Sequence, residues 1–304
     1  MFDYLNHINE IYPVRRSKEE KERFQKYALN EAKNLGFNGA IEQIKDHQNI
    51  VIGNPETAKV IFTAHYDTPA KSIFPNIMMP RNVVLGMIYQ FSYPILLSLL
   101  SLFVAYIIAY LFDQGVEVAS ILFIFLYLGS FYLLTRCFPN KHNKNDNTSG
   151  VSTIFSLMAQ NAGKDVAFIL FDNEEKGLLG SKAYYKMHKE LLENKLVINA
   201  DCVGFGDSVI LIAKDDAIKH EHYKKLTESF LPTNDYMVEF FPTKGSMSNS
   251  DYKNFKCGIG VMTCKKSNIV GYYASRIHTK YDTVADLKNI EFITNNLTAF
   301  INKL

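Results

Sequence analysis

Val60-Ile61-Phe62-Thr63-Ala64-His65-Tyr66-Asp67 is the stretch from which the fold can be read. A short apolar run rich in β-branched residues reads as a buried strand, and this one ends on a histidine. Two later runs repeat the pattern. Val166-Ala167-Phe168-Ile169-Leu170-Phe171 leads to Glu174-Glu175, and Val197-Ile198-Asn199-Ala200 ends at Asp201. Polar chemistry at the C-terminal ends of buried strands is the usual placement of ligand sites in open α/β sheets.

Working outward, Ser17-Lys18-Glu19-Glu20 opens a helix that runs to about Leu35. Ser17 and Glu20 have capping-box spacing, and Gly36 supplies the stop. Strands are expected at Ala40 to Ile44 and Asn49 to Ile52. Further helices are expected from about Ser149 to Gln160, Leu179 to Glu190 and Asp286 to Leu304. Strands near Val209 to Ala213, Met237 to Phe241 and Gly260 to Thr263 complete the pattern. Alternating strands and helices predict an α/β three-layer sandwich with a mixed sheet, parallel at its centre.

One region breaks from this. Residues 82 to 112 carry no Asp, Glu, Lys or Arg, and after Asp113-Gln114-Gly115-Val116-Glu117 a second uncharged run covers 118 to 135. Each can cross a hydrocarbon core of ~30 Å at about 1.5 Å per residue. Leu99-Leu100, Phe103-Val104 and Phe123-Ile124-Phe125-Leu126 leave no polar face, unlike a surface helix. The reading is a two-helix hydrophobic hairpin that spans the bilayer; a lid or an oligomer interface is the competing one. Pro94 is expected to kink or end the first helix, so that the span runs from about Tyr93 to Phe112. Lys71, Arg81, Arg136, Lys141 and Lys144 flank the hairpin while its loop carries only acids, which predicts a cell-membrane protein with both flanks in the cytoplasm. The expected organisation is a split catalytic domain, residues 1–81 and 139–304, with the hairpin inserted at 82–138.

Composition narrows the class. With 33 Lys and Arg against 31 Asp and Glu, the net charge is +2, which gives no electrostatic case for nucleic acid. The four cysteines show no CxxC spacing, so neither a zinc ribbon nor a disulfide framework is indicated. Met1-Phe2-Asp3-Tyr4-Leu5-Asn6 lacks the basic and apolar regions of a signal peptide, and a reducing setting is expected for the soluble part.

The polar residues at the strand ends form a chemical set. His65 and Asp67 are two apart and share a side in extended backbone, where a carboxylate can fix the tautomer of a metal-binding imidazole. Asp146 lies in the polar turn Asp146-Asn147-Thr148-Ser149-Gly150, and any single such Asp is also an ordinary helix N-cap. Glu174 and Glu175 point in different directions, so one can ligate while the other handles protons. Asp201 ends an apolar strand, a costly place for an unpaired charge. His278 lies in the polar loop Ile277-His278-Thr279-Lys280-Tyr281-Asp282-Thr283. His7, His47, His142, His188, His220 and His222 read as surface residues, the last two within a charged helix.

Taken in order, HxD, DNxSG, EE followed by GLxGS, Asp201, Ser250-Asp251 and HTxxDT, the chain resembles the aminopeptidase Y and leucyl aminopeptidase family of co-catalytic zinc peptidases. The resemblance implies a zinc-exopeptidase-like fold and two Zn2+ ions, with Mn2+ or Co2+ also acceptable to so carboxylate-rich a set. It assigns His65 and Asp201 to one ion, Glu175 and His278 to the other, and Asp146 to both. Glu174 is then the general base and Asp67 the partner of His65, and the Asp146–Asn147 peptide is expected to be cis. The implied substrate is a peptide with a free N-terminus. A related amidase, carboxypeptidase or glutaminyl cyclase, or a non-catalytic membrane scaffold on the same fold, are the alternatives. The family pattern has only a short loop where this chain carries 78 residues between Asp67 and Asp146.

Overall fold

A computed structural model describes residues 2 to 304. The chain opens with α1 (Tyr4–Ile11) and α2 (Lys18–Asn34), then β1 (Gly39–Ile44), β2 (His47–Ile52), β3 (Val60–His65) and β4 (Asn76–Met78). Two long helices follow, α3 (Val83–Leu111) and α4 (Val116–Thr135). An irregular turn over Lys144–Ser149 leads into α5 (Gly150–Gln160), β5 (Val166–Phe171), α6 (Leu179–Met187), α7 (Lys189–Leu192) and β6 (Leu196–Ala200). The last part holds β7 (Ser208–Ala213), α8 (Asp215–Ile218), α9 (Tyr223–Thr227), β8 (Met237–Pro242), β9 (Gly258–Ser267), β10 (Gly271–Ile277) and α10 (Leu287–Ile301).

The strands form one mixed sheet in the order β1-β2-β5-β3-β6-β9-β10-β4, with β7 and β8 joined beside β9. Its centre, β5-β3-β6-β9, is parallel, as expected. Every residue of β3, β5 and β6 is buried, because helices cover both faces. Alternation sorts β3: Val60, Phe62 and Ala64 join Phe24, Phe155, Leu297 and Phe300 in the larger core. Ile61 faces the other way, against Ile169, Tyr184 and Phe255. These two cores fix the height of the strand ends, and hence the positions of the residues just beyond them.

Several expectations need correction. Pro94 lies inside α3, which continues unbroken from Val83 to Leu111. A proline already has helical φ and supplies no amide to the carbonyl of Gln90, and here that loss does not end the helix. The helix expected from Leu179 to Glu190 breaks at His188 into α6 and α7. His220 and His222 lie in the turn between α8 and α9, not in a charged helix. Of the histidines read as surface, His142 is exposed while the other five are half-buried, and His188 pairs with Glu42 at 2.5 Å. The strands β4 and β10 and the helix α1 lacked a sequence signal; β4 is three residues long and pairs only through β10. The capping box of α2 is present, with Ser17 and Glu20 bonding reciprocally.

The two apolar helices pack against each other, and α3 meets the sheet at its edge strand β4. Each is long and apolar enough to cross a membrane, and only 22% and 11% of their most apolar windows is buried. Phe103 and Phe125 are 63% and 73% exposed, which water does not tolerate as a continuous surface.

Candidate metal centre

The ends of β3, β5 and β6 bring the first half of the set together. His65 ends β3 and is buried; its Nε2 lies 3.3 Å from Asp146 Oδ1, 3.7 Å from Asp201 Oδ1 and 3.9 Å from Glu174 Oε2. The second half comes from the loop after β10. His278 has a left-handed backbone, φ 59°, which turns its ring inward. Its Nε2 stands 3.0 Å from Asp146 Oδ2 and 3.3 Å from Glu175 Oε2. Asp146 therefore offers one oxygen to each histidine, and the two adjacent glutamates diverge, one toward each.

Neighbouring residues hold these groups in place. The peptide between Asp146 and Asn147 is cis. Asp282 accepts the amides of Asn145 and Asp146, both at 3.0 Å, and so fixes the backbone that presents Asp146. Asn147 reaches the carbonyl of Ala200 at 3.1 Å and accepts the Gly150 amide at 3.0 Å. A Cβ at Gly150 would lie 2.3 Å from the Ala200 carbonyl oxygen, so this position requires glycine. Asp201 is held by a relay: Thr63 Oγ1 donates to Asn199 Oδ1, Asn199 Nδ2 to Ser250 Oγ, and Ser250 Oγ to Asp201 Oδ2, at 2.7, 2.7 and 2.6 Å.

Asp67 differs in emphasis from expectation. Its carboxylate is 3.5 Å from His65 Nδ1, while its own carbonyl is nearer, at 3.2 Å. The stronger bonds of the carboxylate run to the backbone amides of Glu174 and Glu175, at 3.0 and 3.2 Å. Four supporting residues escaped the sequence reading of the site: Asp282, Asn199, Arg15 and Lys21. Arg15 is wholly buried and donates from Nε to the Tyr66 carbonyl, from Nη1 to the Tyr12 carbonyl and from Nη2 to Thr148 Oγ1. It joins the segment before the hairpin to the segment after it. Lys21 pairs with Asp172 at 2.6 Å and donates to Asn173, bracing the turn that presents Glu174. Asp282 and Asn199 lay inside stretches already singled out, the loop of His278 and the strand that ends at Asp201, while Arg15 and Lys21 carried no signal of their own.

The electrostatics are those of a crowded acidic site. Burial opposes ionisation of Asp146, yet hydrogen bonds from His278 and His65 hold it below the usual carboxylate range. Burial and the charges of Glu175, Asp201 and Asp251 hold Glu174 well above that range, against the pull of His65. Burial, with Asp146 and Asp67, pushes Glu175 to about 8 against the pull of His278. Burial works against a charged His278, but Glu175 and Asp146 raise it to about 9.

Residues 140–301, more than half of the chain, match the family model described as Peptidase family M28. The chain belongs to that family. By its description, that family is one of peptidases. Among curated proteins, a vacuolar membrane protease of Candida glabrata is 29% identical over 119 residues, 38% of this chain and 12% of that protein. One of Yarrowia lipolytica is 29% identical over 157 residues, 49% of this chain and 15% of that protein. The chain spans only that small share, 12–15%, of the curated relatives it matches. In overall fold it is similar to the LapA aminopeptidase of Legionella pneumophila, with TM-score 0.58 and 14% identity over 98% of this chain and 69% of that one. It is equally similar to a glutaminyl cyclase of Porphyromonas gingivalis, with TM-score 0.58 and 12% identity over 99% and 96% of the two chains. BSAP, a zinc aminopeptidase from Bacillus subtilis, gives 0.51 and 15% over 84% and 50%. Identities this low establish a shared fold.

The donor set of this M28 family member fits divalent cations. His65 with Asp146 and Asp201, His65 with Glu174 and Glu175, and Asp146 with Glu175 and His278 each gather ligand atoms within 4.8 Å of one another. Glu175 Oε1 is buried with no hydrogen-bond partner, an expensive state that a cation relieves. Imidazole nitrogens mixed with carboxylate oxygens suit zinc, the metal implied by the family.

Proposed function

We propose that the chain is a membrane-anchored aminopeptidase that holds two divalent cations and hydrolyses the first peptide bond of a free N-terminus. The observation that carries this reading is Asp146, whose two oxygens face His65 and His278 at 3.3 and 3.0 Å. A carboxylate so placed serves two sites at once. His65, Asp201 and Asp146 would hold one cation, and Glu175, His278 and Asp146 the other. Bound there, the cations polarise the scissile carbonyl and lower the pKa of water.

The remaining work falls to side chains. Glu174 accepts the proton of the attacking water and returns it to the leaving amine, a role supported by its position beside His65, with Oε2 3.9 Å from Nε2. Asp67 orients His65 and anchors the backbone that carries Glu174. The pocket above opens onto Asp146, Glu174, Glu175 and Asp201, with Arg136, Lys176 and Lys253 also in its lining, which leaves room for a substrate over the acidic cluster. Residues 1–81 and 139–304 form the catalytic domain, and 82–138 insert into the lipid bilayer as two spans. The basic flanks against the acidic loop support a cytoplasmic catalytic domain at the cell membrane.

The test is hydrolysis by full-length protein in detergent, on leucine amide and on its N-acetylated form, with and without chelator. Cleavage of the free amine alone, lost with chelator and restored by zinc, is expected. Equal cleavage of the blocked substrate, or cyclisation of an N-terminal glutaminyl peptide in place of hydrolysis, overturns it.

A further inference from the structure

A cavity of about 670 Å³ lies between the hairpin and the catalytic domain. It shares Asn76, Gln90, Arg136 and His278 with the pocket over the metal centre, so the two form one trough. Its walls are aromatic: Phe74 stacks on Tyr93 of α3 at 4.8 Å, and Tyr127 lies against Phe131 on α4 at 6.1 Å. The depth of the cavity follows from helix lengths. At 29 residues α3 is about 44 Å long, more than the ~30 Å of a hydrocarbon core, while the 20 residues of α4 span about 30 Å. The excess of α3 therefore extends toward the catalytic domain. Gln90 and Tyr93 share the cavity with Thr135 and Arg136 at the end of α4, which sets the cavity at the membrane interface.

We infer that this cavity is a subsite for a peptide whose residues beyond the scissile bond are apolar and which enters from the bilayer side. The inference rests on reading the acid–histidine cluster as a peptidase site. The side-chain amides of Asn76 and Gln90 are half-buried in the lining that the two compartments share, and neither makes a side-chain hydrogen bond to another described residue. Each offers a donor and an acceptor, the complement of a peptide unit. An acyl chain laid across them would strip their water and return nothing, whereas a peptide main chain replaces it. The rings then receive apolar side chains, at the depth where tyrosines are favoured in membranes.

The chain contains no tryptophan, so one introduced in the cavity reports occupancy without background. Full-length Phe131→Trp in lipid nanodiscs is titrated with a six-residue peptide amide of leucine and valine, and separately with tetradecanamide. A saturable emission shift with the peptide and none with the fatty amide is expected. Ser98→Phe, which narrows the cavity, should weaken that binding about tenfold in the same background. Tyr127→Trp serves as a second reporter if the first chain does not fold. A response to the fatty amide alone, or to neither compound, overturns the inference. Since fluorescence reads occupancy, peptide binding without hydrolysis of leucine amide keeps the subsite and rejects the proposed activity. Hydrolysis with silent reporters does the reverse.

Discussion

The carboxylate of Asp67 holds the backbone of Glu174: Oδ1 accepts its amide at 3.0 Å, and Oδ2 accepts the next amide, of Glu175, at 3.2 Å. One side chain thus couples the end of β3 to the turn after β5. Asp67→Asn replaces one acceptor with a donor that faces an amide. Buried donors left unpaired cost about 1–3 kcal/mol each, so a comparable loss of stability is expected in denaturant titration. Zinc affinity should fall by about 10–100-fold in a competition assay, because the support of His65 is disturbed as well. Wild-type values for both would show that the two amides do not depend on this carboxylate.

Glu174→Gln is nearly isosteric and keeps the Asp67 bond, which uses the main chain. Bound metal should remain at the wild-type ratio by elemental analysis, while kcat falls by about 10²–10⁴-fold. Asp146→Ala, by contrast, should lose metal from both halves of the centre. A Glu174→Gln enzyme with unchanged turnover rules out the proton role.

Arg15 links Tyr66 and Tyr12 carbonyls to Thr148 from a fully buried position. Arg15→Lys keeps the charge but loses the planar fork, leaving at least one acceptor unmet. The expected cost is about 1–3 kcal/mol, with turnover reduced in parallel since the two sides of the hairpin no longer lock together. Thermal unfolding followed by circular dichroism measures it.

Stability of the metal-stripped protein should fall as pH rises. Burial first, then Asp146, pushes Asp282 to about 8, and Glu175 reaches about 8 for similar reasons. Between about 4, the unfolded value, and these folded values the native state binds more protons, so each rise in pH removes stability. His278, raised to about 9, acts in the same direction: its contribution is complete below about 6.5 and lost through about 9. Asp146 and Asp67 are lowered, so their contribution is lost only as pH drops below the usual carboxylate range. The midpoint with chelator should therefore be higher at pH 5.5 than at pH 9, and added zinc should reduce the difference. A midpoint that rises across this interval without metal contradicts these assignments.

The reading from sequence was strongest where local chemistry suffices. The core strands β3, β5 and β6 are buried throughout and mostly apolar, and polar turns flank them, so their position followed from local composition. The hairpin announced itself through missing charge. What escaped was short or long-range. β4 is an edge strand of three residues whose pairing comes from β10, two hundred residues later, and no local preference marks it. Pro94 misled because a rule for helix interiors concerns one lost hydrogen bond, and a 29-residue helix retains the rest.

The chain alone specified which groups are available: two histidines, five carboxylates and two long charge-free runs, since these depend on residue identity and spacing. Folding decided how they meet. That Asp146 turns one oxygen to His65 and the other to His278 depends on Asp282 and Arg15, and the aim of Asp201 depends on the Thr63–Asn199–Ser250 relay, all drawn from distant segments. Hydrogen-bond geometry acts over about 3 Å, and only packing brings such partners within it. The same holds for the trough beneath the hairpin, which exists because α3 and α4 leave the domain at the rim of the acid–histidine cluster.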